Sequence, residues 1–76
     1  MSGKLAKAWA YRQGSGHVTA GTDSRGRDVE VVAFGIGGEA CWSASAAGGL
    51  VEVASGVEDS LSDAKRAAEL WLAGRD

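Results

Sequence analysis

The chain has 76 residues, 45% of them hydrophobic, and a formal net charge of -2. A sequence of this size forms one domain, residues 1–76, with a small core and little depth for a catalytic cleft. It is too hydrophobic and too weakly charged for a disordered chain, and it contains no signal-peptide core and no run near the roughly 20 apolar residues of a membrane-spanning helix. We therefore expect a globular cytoplasmic protein that makes no contact with a membrane.

Charge is distributed unevenly along the sequence. Residues 1–27 carry five basic side chains and one acid, a net charge of +4, whereas residues 28–76 carry three basic side chains and nine acids, a net charge of -6. This uneven distribution has two explanations: the charges are ordinary solvated side chains, or the acidic part forms a surface that docks on a basic partner. Both interpretations stay open at this point.

The N-terminal segment, residues 4–12, fits two structures. Leu5 and Trp9 lie one helical turn apart and Ser2 is a suitable cap, which favours a short helix. The Gly-Ser-Gly sequence at residues 14–16 is typical of a hairpin turn and favours a strand. We favour the strand, because the sheet needs its area.

A short strand is predicted over residues 17–22 and a longer one over residues 29–36, with a polar turn between them. The longer strand is apolar on both faces: Val29, Val31 and Ala33 on one, and Val32, Phe34 and Ile36 on the other. One helix cannot bury both faces. We expect the N-terminal segment to cover the second face. The alternative is that this second face stays uncovered and forms the apolar centre of a binding or dimer surface.

Residues 39–46 alternate between small or aromatic residues and polar ones, which predicts a strand with one buried face. Gly48 and Gly49 then supply a turn into a further strand over residues 50–54. A helix is predicted over residues 61–73, capped by Ser60 and ended by Gly74. Its buried face is predicted to contain Leu61, Ala64, Ala68 and Trp71, with Leu61, Trp71 and Leu72 at the edges of the contact.

These elements predict an α+β domain, a small antiparallel sheet of about four strands packed by one C-terminal helix. Trp9, Trp42 and Trp71 are expected to meet in its core. Cys41 is the sole cysteine, so no intrachain disulfide can form, and we expect a buried, inert thiol.

No residue pattern supports catalysis, a metal site or a cofactor. Residues 62–65 match the S-x-x-K pattern of serine acyltransferases, but four-residue patterns recur by chance and those enzymes are far longer. His17 and Cys41 are the sole imidazole and thiol, and nothing in their spacing brings them together. The chain is therefore expected not to be an enzyme.

Residues 62–68 resemble the start of the last helix of a double-stranded RNA-binding domain, a family with a three-stranded sheet before that helix. Where the family places a lysine pair for phosphate contact, this chain has residues 61–63, Leu-Ser-Asp, and without proline it lacks the family's Gly-Pro-x-His loop. The resemblance implies a nucleic-acid-binding module, which we keep as an alternative.

The layout of the whole chain, with Trp-bearing short strands, a Gly-Gly turn and a final helix beginning near Ser60, resembles small proteins of phages and mobile elements, anti-CRISPR inhibitors among them. The resemblance implies a non-enzymatic inhibitor that evades antiviral defence by binding a CRISPR effector complex and blocking its nucleic-acid target binding. Acidic side chains would take the place of phosphates on a basic groove. A structural or assembly protein whose sheet pairs with itself, as in a homodimer, is a further alternative.

The predicted partner-binding residues are Glu30, Val32, Phe34, Glu39 and Glu52. Glu30 lies on the same face of its predicted strand as Val32 and Phe34, and Glu39 and Glu52 lie on neighbouring predicted strands. Together they describe an apolar spot with a rim of carboxylates. The alternative surface is basic and consists of Lys4, Lys7, Arg25 and Arg27.

Overall fold

The computed structural model describes residues 4, 5 and 8–74. These residues form an antiparallel sheet followed by one C-terminal helix, which confirms the α+β class. The strands are β1 (Lys4–Leu5), β2 (Ala10–Arg12), β3 (Gly16–Thr22), β4 (Asp28–Ile36), β5 (Glu39–Ala46) and β6 (Val51–Glu58). A 3-10 turn, Ala47–Gly49, joins β5 to β6, and helix α1 spans Leu61–Leu72.

The sheet has five positions across its width, in the order β1/β2, β3, β4, β5, β6. Both β1 and β2 pair with β3 and share one edge of the sheet. The prediction of about four strands is thus too low. The N-terminal segment is extended at residues 4–5 and 10–12, as we favoured, and supplies the fifth position; residues 6 and 7 lie outside the described part.

Helix α1 begins where the sequence predicts it. The hydroxyl of Ser60 accepts a hydrogen bond from the backbone N–H of Asp63 at 3.2 Å, and Gly74 follows the helix with φ +74°. The buried side chains of α1 are Ala64, Ala68 and Leu72. Trp71 is half-buried and packs against the core, as expected of an edge position, whereas Leu72 was also expected at the edge and is fully buried.

The core lies between α1 and one face of the sheet. Its buried residues are Val29, Val31, Ala33, Ala40, Trp42, Ala44, Ala64, Ala68 and Leu72. The rings of Trp42 and Trp71 meet with their centroids 6.1 Å apart, and Trp9 packs against the same cluster. The three tryptophans thus share one core, as predicted. Alanine on both facing surfaces lets the helix lie close to the sheet.

Strand β6 extends further than the predicted residues 50–54. Its second half contains Ser55 and Gly56, which have low strand propensity, so the sequence pattern ends too early. The register between β5 and β6 shifts at Ala44/Ser45, and Val53 is the extra residue of this bulge. Within the described residues, no helix has both the length and the apolar character needed to cross a membrane.

Candidate binding face

The face of the sheet opposite to α1, called the open face below, has no element packed over it among the described residues. Strand pairing arranges its side chains in rows across β3 to β6. The rows are Ala20, Glu30, Ser45 and Glu52; Val18, Val32, Ser43 and Ser55; Phe34, Cys41 and Val57; and Ile36 and Glu39.

The middle of the open face is apolar. Val18 is buried, Val32 and Phe34 are half-buried, and Val57 and Ile36 are about three-fifths exposed. Our expectation that the N-terminal segment covers this face is wrong for the described residues. That segment pairs with β3 in the plane of the sheet, so its backbone continues the ladder and does not cross the face.

Carboxylates lie at both ends of this apolar strip. Glu30 and Glu52 flank Ser45 in one row, two strand spacings or about 10 Å apart, and both are exposed. Glu39 is paired with Ile36, six residues or about 20 Å further along β4. All five predicted partner-binding residues therefore share one face.

The bulge decides the position of Glu52. In a regular continuation of the Ala44/Ala54 pair, Glu52 would be opposite Ala46 and would point to the helix side. The extra residue instead pairs Glu52 with Ser45, on the open face. The sequence carries no local signal for this shift.

Charge is segregated across the sheet. The chain between Asp28 and Ala64 contains seven carboxylates and no lysine, arginine or histidine, so β4, β5 and β6 carry acidic charge only. At the opposite edge of the sheet, Arg12 pairs with Gly16 and carries a basic side chain. The open face is thus acidic over its three last strands.

A shallow groove of about 250 Å³ runs along β5 and β6 on the open face. Its lining includes Phe34, Cys41, Ser43, Glu52, Ser55 and Val57. The thiol of Cys41 belongs to this groove and is half-buried, which corrects the prediction of a buried thiol. The sequence predictions also missed Val18, Ser55 and Val57, although the alternating pattern of each strand could have placed them once the register was known.

The structure keeps the only imidazole and thiol apart. His17 pairs with Ala33, a core residue on the helix side, whereas Cys41 lies on the open face. His17 instead contacts the ring of Tyr11, with centroids 5.5 Å apart. Lys65, of the S-x-x-K match, has its ammonium 5.9 Å from the centroid of the Trp9 ring. In the described part of the chain, no three metal-ligating side chains cluster.

Two residues of the alternative, basic surface, Arg25 and Arg27, donate hydrogen bonds within the β3–β4 turn. The carboxylate of Asp23 accepts the backbone N–H groups of Arg25 and Arg27 at 2.9 Å each and the Nε–H of Arg27 at 2.7 Å. Burial raises the pKa of Asp23, but these hydrogen bonds and the Arg27 charge outweigh it and hold the pKa below its ordinary value. Arg27 thus serves the β3–β4 turn. Lys7 lies outside the described residues, and the side chain of Lys4 is not described.

The fold and the open face define a small α+β domain with a sheet that a helix covers on one side. Comparison of the chain with family models, with curated proteins and with solved structures finds no match.

Proposed function

We propose that this protein is a non-enzymatic inhibitor that docks its open face on a basic protein surface that normally receives nucleic acid. A CRISPR effector complex is the first partner to test, because of the layout resemblance described above. One observation carries the proposal: an apolar strip with Glu30 and Glu52 at one end and Glu39 at the other, uncovered in the described structure. The apolar strip supplies area to bury, and the carboxylates supply charge complementarity.

The same charges argue against the alternatives. Two copies docked through their open faces would bring Glu30, Glu39 and Glu52 of each copy against those of the other, and like charges across an interface are costly. Bare DNA or RNA would meet the same repulsion from its phosphates. A basic protein groove is the partner that this face favours.

The decisive variant replaces Glu30, Glu39 and Glu52 with lysine. We expect binding to immobilised effector complexes to weaken by about a hundredfold or more, because attraction becomes repulsion across the interface. The melting temperature should change little, since all three side chains are exposed. Binding of the parent should also weaken between about 50 and about 300 mM salt, as screening shortens the reach of the charges.

The matched control reverses Glu58, Asp59 and Asp63, which changes the net charge by the same amount away from the open face. This variant should keep most of the parent's affinity. Parent-like binding by the open-face variant would refute the proposal and direct attention to Lys4, Lys7, Arg25 and Arg27. A shift assay with bare DNA and RNA, run in parallel, tests the nucleic-acid-binding alternative.

Cys41 provides a second readout because it is the sole thiol and lies in the groove of the open face. A bound partner should slow its alkylation by a maleimide, and a bulky adduct at Cys41 should block binding while the helix-side core stays intact. Unchanged alkylation in a saturated complex would place the partner elsewhere.

A further inference from the structure

Strand β6 forms one edge of the sheet. Within the described residues it pairs with β5 and with no other strand, so its second side presents backbone N–H and C=O groups that no ladder uses. At eight residues it is as long as β5. The opposite edge is divided into β1 and β2, of two and three residues.

This edge lacks the usual protection against a further strand. Sheet edges are commonly blunted by lysine, proline, short strands or bulges. β6 contains neither lysine nor proline, and its Val51 and Val57 are more than half exposed. The bulge at Val53 affects the first half, whereas residues 54–58 pair regularly with β5.

Charge selects the kind of strand that this edge would accept. Glu52 and Glu58 lie within β6 and Asp59 follows it, and no basic residue lies between Asp28 and Ala64 to balance them. A second copy of β6 would bring only further carboxylates to this edge, and like charges that face each other across a sheet are unfavourable. A basic strand would place its cations beside Glu58, on the helix side of this edge.

We propose that β6 binds an extended, basic segment of another protein by strand addition, with lysine or arginine alternating with apolar residues. The backbone of the segment continues the ladder. Its cations lie on the helix side of the sheet, beside Glu58, and its apolar side chains lie on the open face, beside Val57. This interaction uses the backbone of the edge strand, which docking by the open face does not require.

The test uses a nine-residue peptide of alternating lysine and valine, acetylated and amidated at its ends, as the probe. Its binding should slow hydrogen exchange at alternate amides of β6 by about tenfold or more, because those amides gain ladder hydrogen bonds. Amides of β4 and β5, already paired on both sides, should change far less.

Two N-methylated forms of the peptide separate strand addition from simple charge attraction. Methyl groups on one set of alternate amides remove the bonds to β6, and methyl groups on the other set leave them intact. One form should therefore lose binding and the other retain it. Equal binding by both forms would overturn the proposal.

A pair of matched variants places the peptide at the edge. Val57→Lys puts a cation on β6, whereas Ile36→Lys puts one on β4 at nearly the same exposure, 60% against 59%. Val57→Lys should weaken peptide binding about tenfold by repulsion of the basic probe, and Ile36→Lys should leave it near the parent value. Equal loss in both would overturn the edge assignment.

The same variants distinguish this proposal from the proposed function. Val57 and Ile36 both belong to the open face, so Val57→Lys and Ile36→Lys should both alter docking of an effector complex. Only Val57→Lys should weaken binding of the peptide. If β6 amides are already protected in the free protein and sedimentation shows a dimer, a second copy occupies the edge and the proposal fails.

Discussion

At Gly56 the absence of a side chain lets the indole of Trp42 lie across β6. A Cβ at this position would lie 2.5 Å from Nε1 and 3.0 Å from Cε2 of that ring. The indole N–H of Trp42 is buried and finds no acceptor among the described residues, so the ring is held by packing against α1 and β6 and not by a hydrogen bond. Shape at one glycine thus decides where the largest core side chain lies.

Gly56→Ala should therefore destabilise the domain by about 1–3 kcal/mol, the usual cost of overpacking a core. Gly35→Ala is the control, because its Cβ would meet nothing nearer than the carbonyl oxygen of Glu39 at 3.6 Å. That variant should stay within about 0.5 kcal/mol of the parent. Urea unfolding measures both free energies, and equal effects would show that the Trp42 ring does not depend on Gly56.

Asp23 makes the β3–β4 turn sensitive to acid. Its side chain is 3% exposed and its folded pKa lies below its ordinary value of about 3.9. The stability that it contributes is therefore present above about pH 4 and is lost as the pH falls through the folded pKa. Asp23→Asn should be less stable than the parent at pH 7, by about 1–3 kcal/mol, because charge-assisted hydrogen bonds are lost.

The difference between parent and Asp23→Asn should shrink as the pH falls below about 4, since the parent carboxyl is then protonated as well. Urea unfolding from pH 7 downwards measures this convergence. Asp59→Asn, at an exposed position, controls for the loss of one acid. If the free energies of unfolding of the parent and of Asp23→Asn differed by the same amount at every pH, the role given to the Asp23 charge would be contradicted.

The elements differ in how well local sequence defines them. Helix α1 follows from the Ser60 cap and the alanine spacing, and β5 follows from its alternation, because each pattern is complete within its own segment. The N-terminal segment fits two structures because Leu5 and Trp9 have helical spacing. Its strands pair with β3, and Trp9 contacts Glu69, 60 residues away; no local pattern contains these contacts.

The contact between Trp9 and α1 is specific. The indole N–H of Trp9 donates to Oε2 of Glu69 at 2.8 Å, and the Lys65 ammonium lies over the same ring. In a double-mutant cycle, Trp9→Phe and Glu69→Ala should couple by about 0.5–1.5 kcal/mol, the net value of one hydrogen bond.

Tyr11→Phe with Glu69→Ala forms the control cycle, since Tyr11 lies on β2 and is largely exposed. Its coupling should be zero within about 0.5 kcal/mol. Free energies from urea unfolding give both values. A coupling near zero in the Trp9 cycle would show that this hydrogen bond does not fasten the N-terminal segment to the helix.

At the scale of the whole molecule, the sequence predicted the α+β class and grouped the five site residues, but it could not supply the reasons for that grouping. Parity within β4 places Glu30, Val32 and Phe34 together. Glu52 joins them through a bulge, and the face stays open because the N-terminal segment extends the sheet sideways. Register shifts and edge pairing depend on distant contacts, which a single sequence does not display.

The segregation of charge also determines which chemical reagents can detect this surface. The three lysines are Lys4, Lys7 and Lys65, so amine-directed cross-linkers have no target between residues 28 and 64. Carbodiimide, which joins a carboxylate directly to an amine, would instead link the glutamates of the open face to lysines of a basic partner. Trypsin, which cuts after lysine and arginine, leaves residues 28–65 as one fragment, so β4, β5 and β6 with any attached partner peptide travel together into the mass spectrometer.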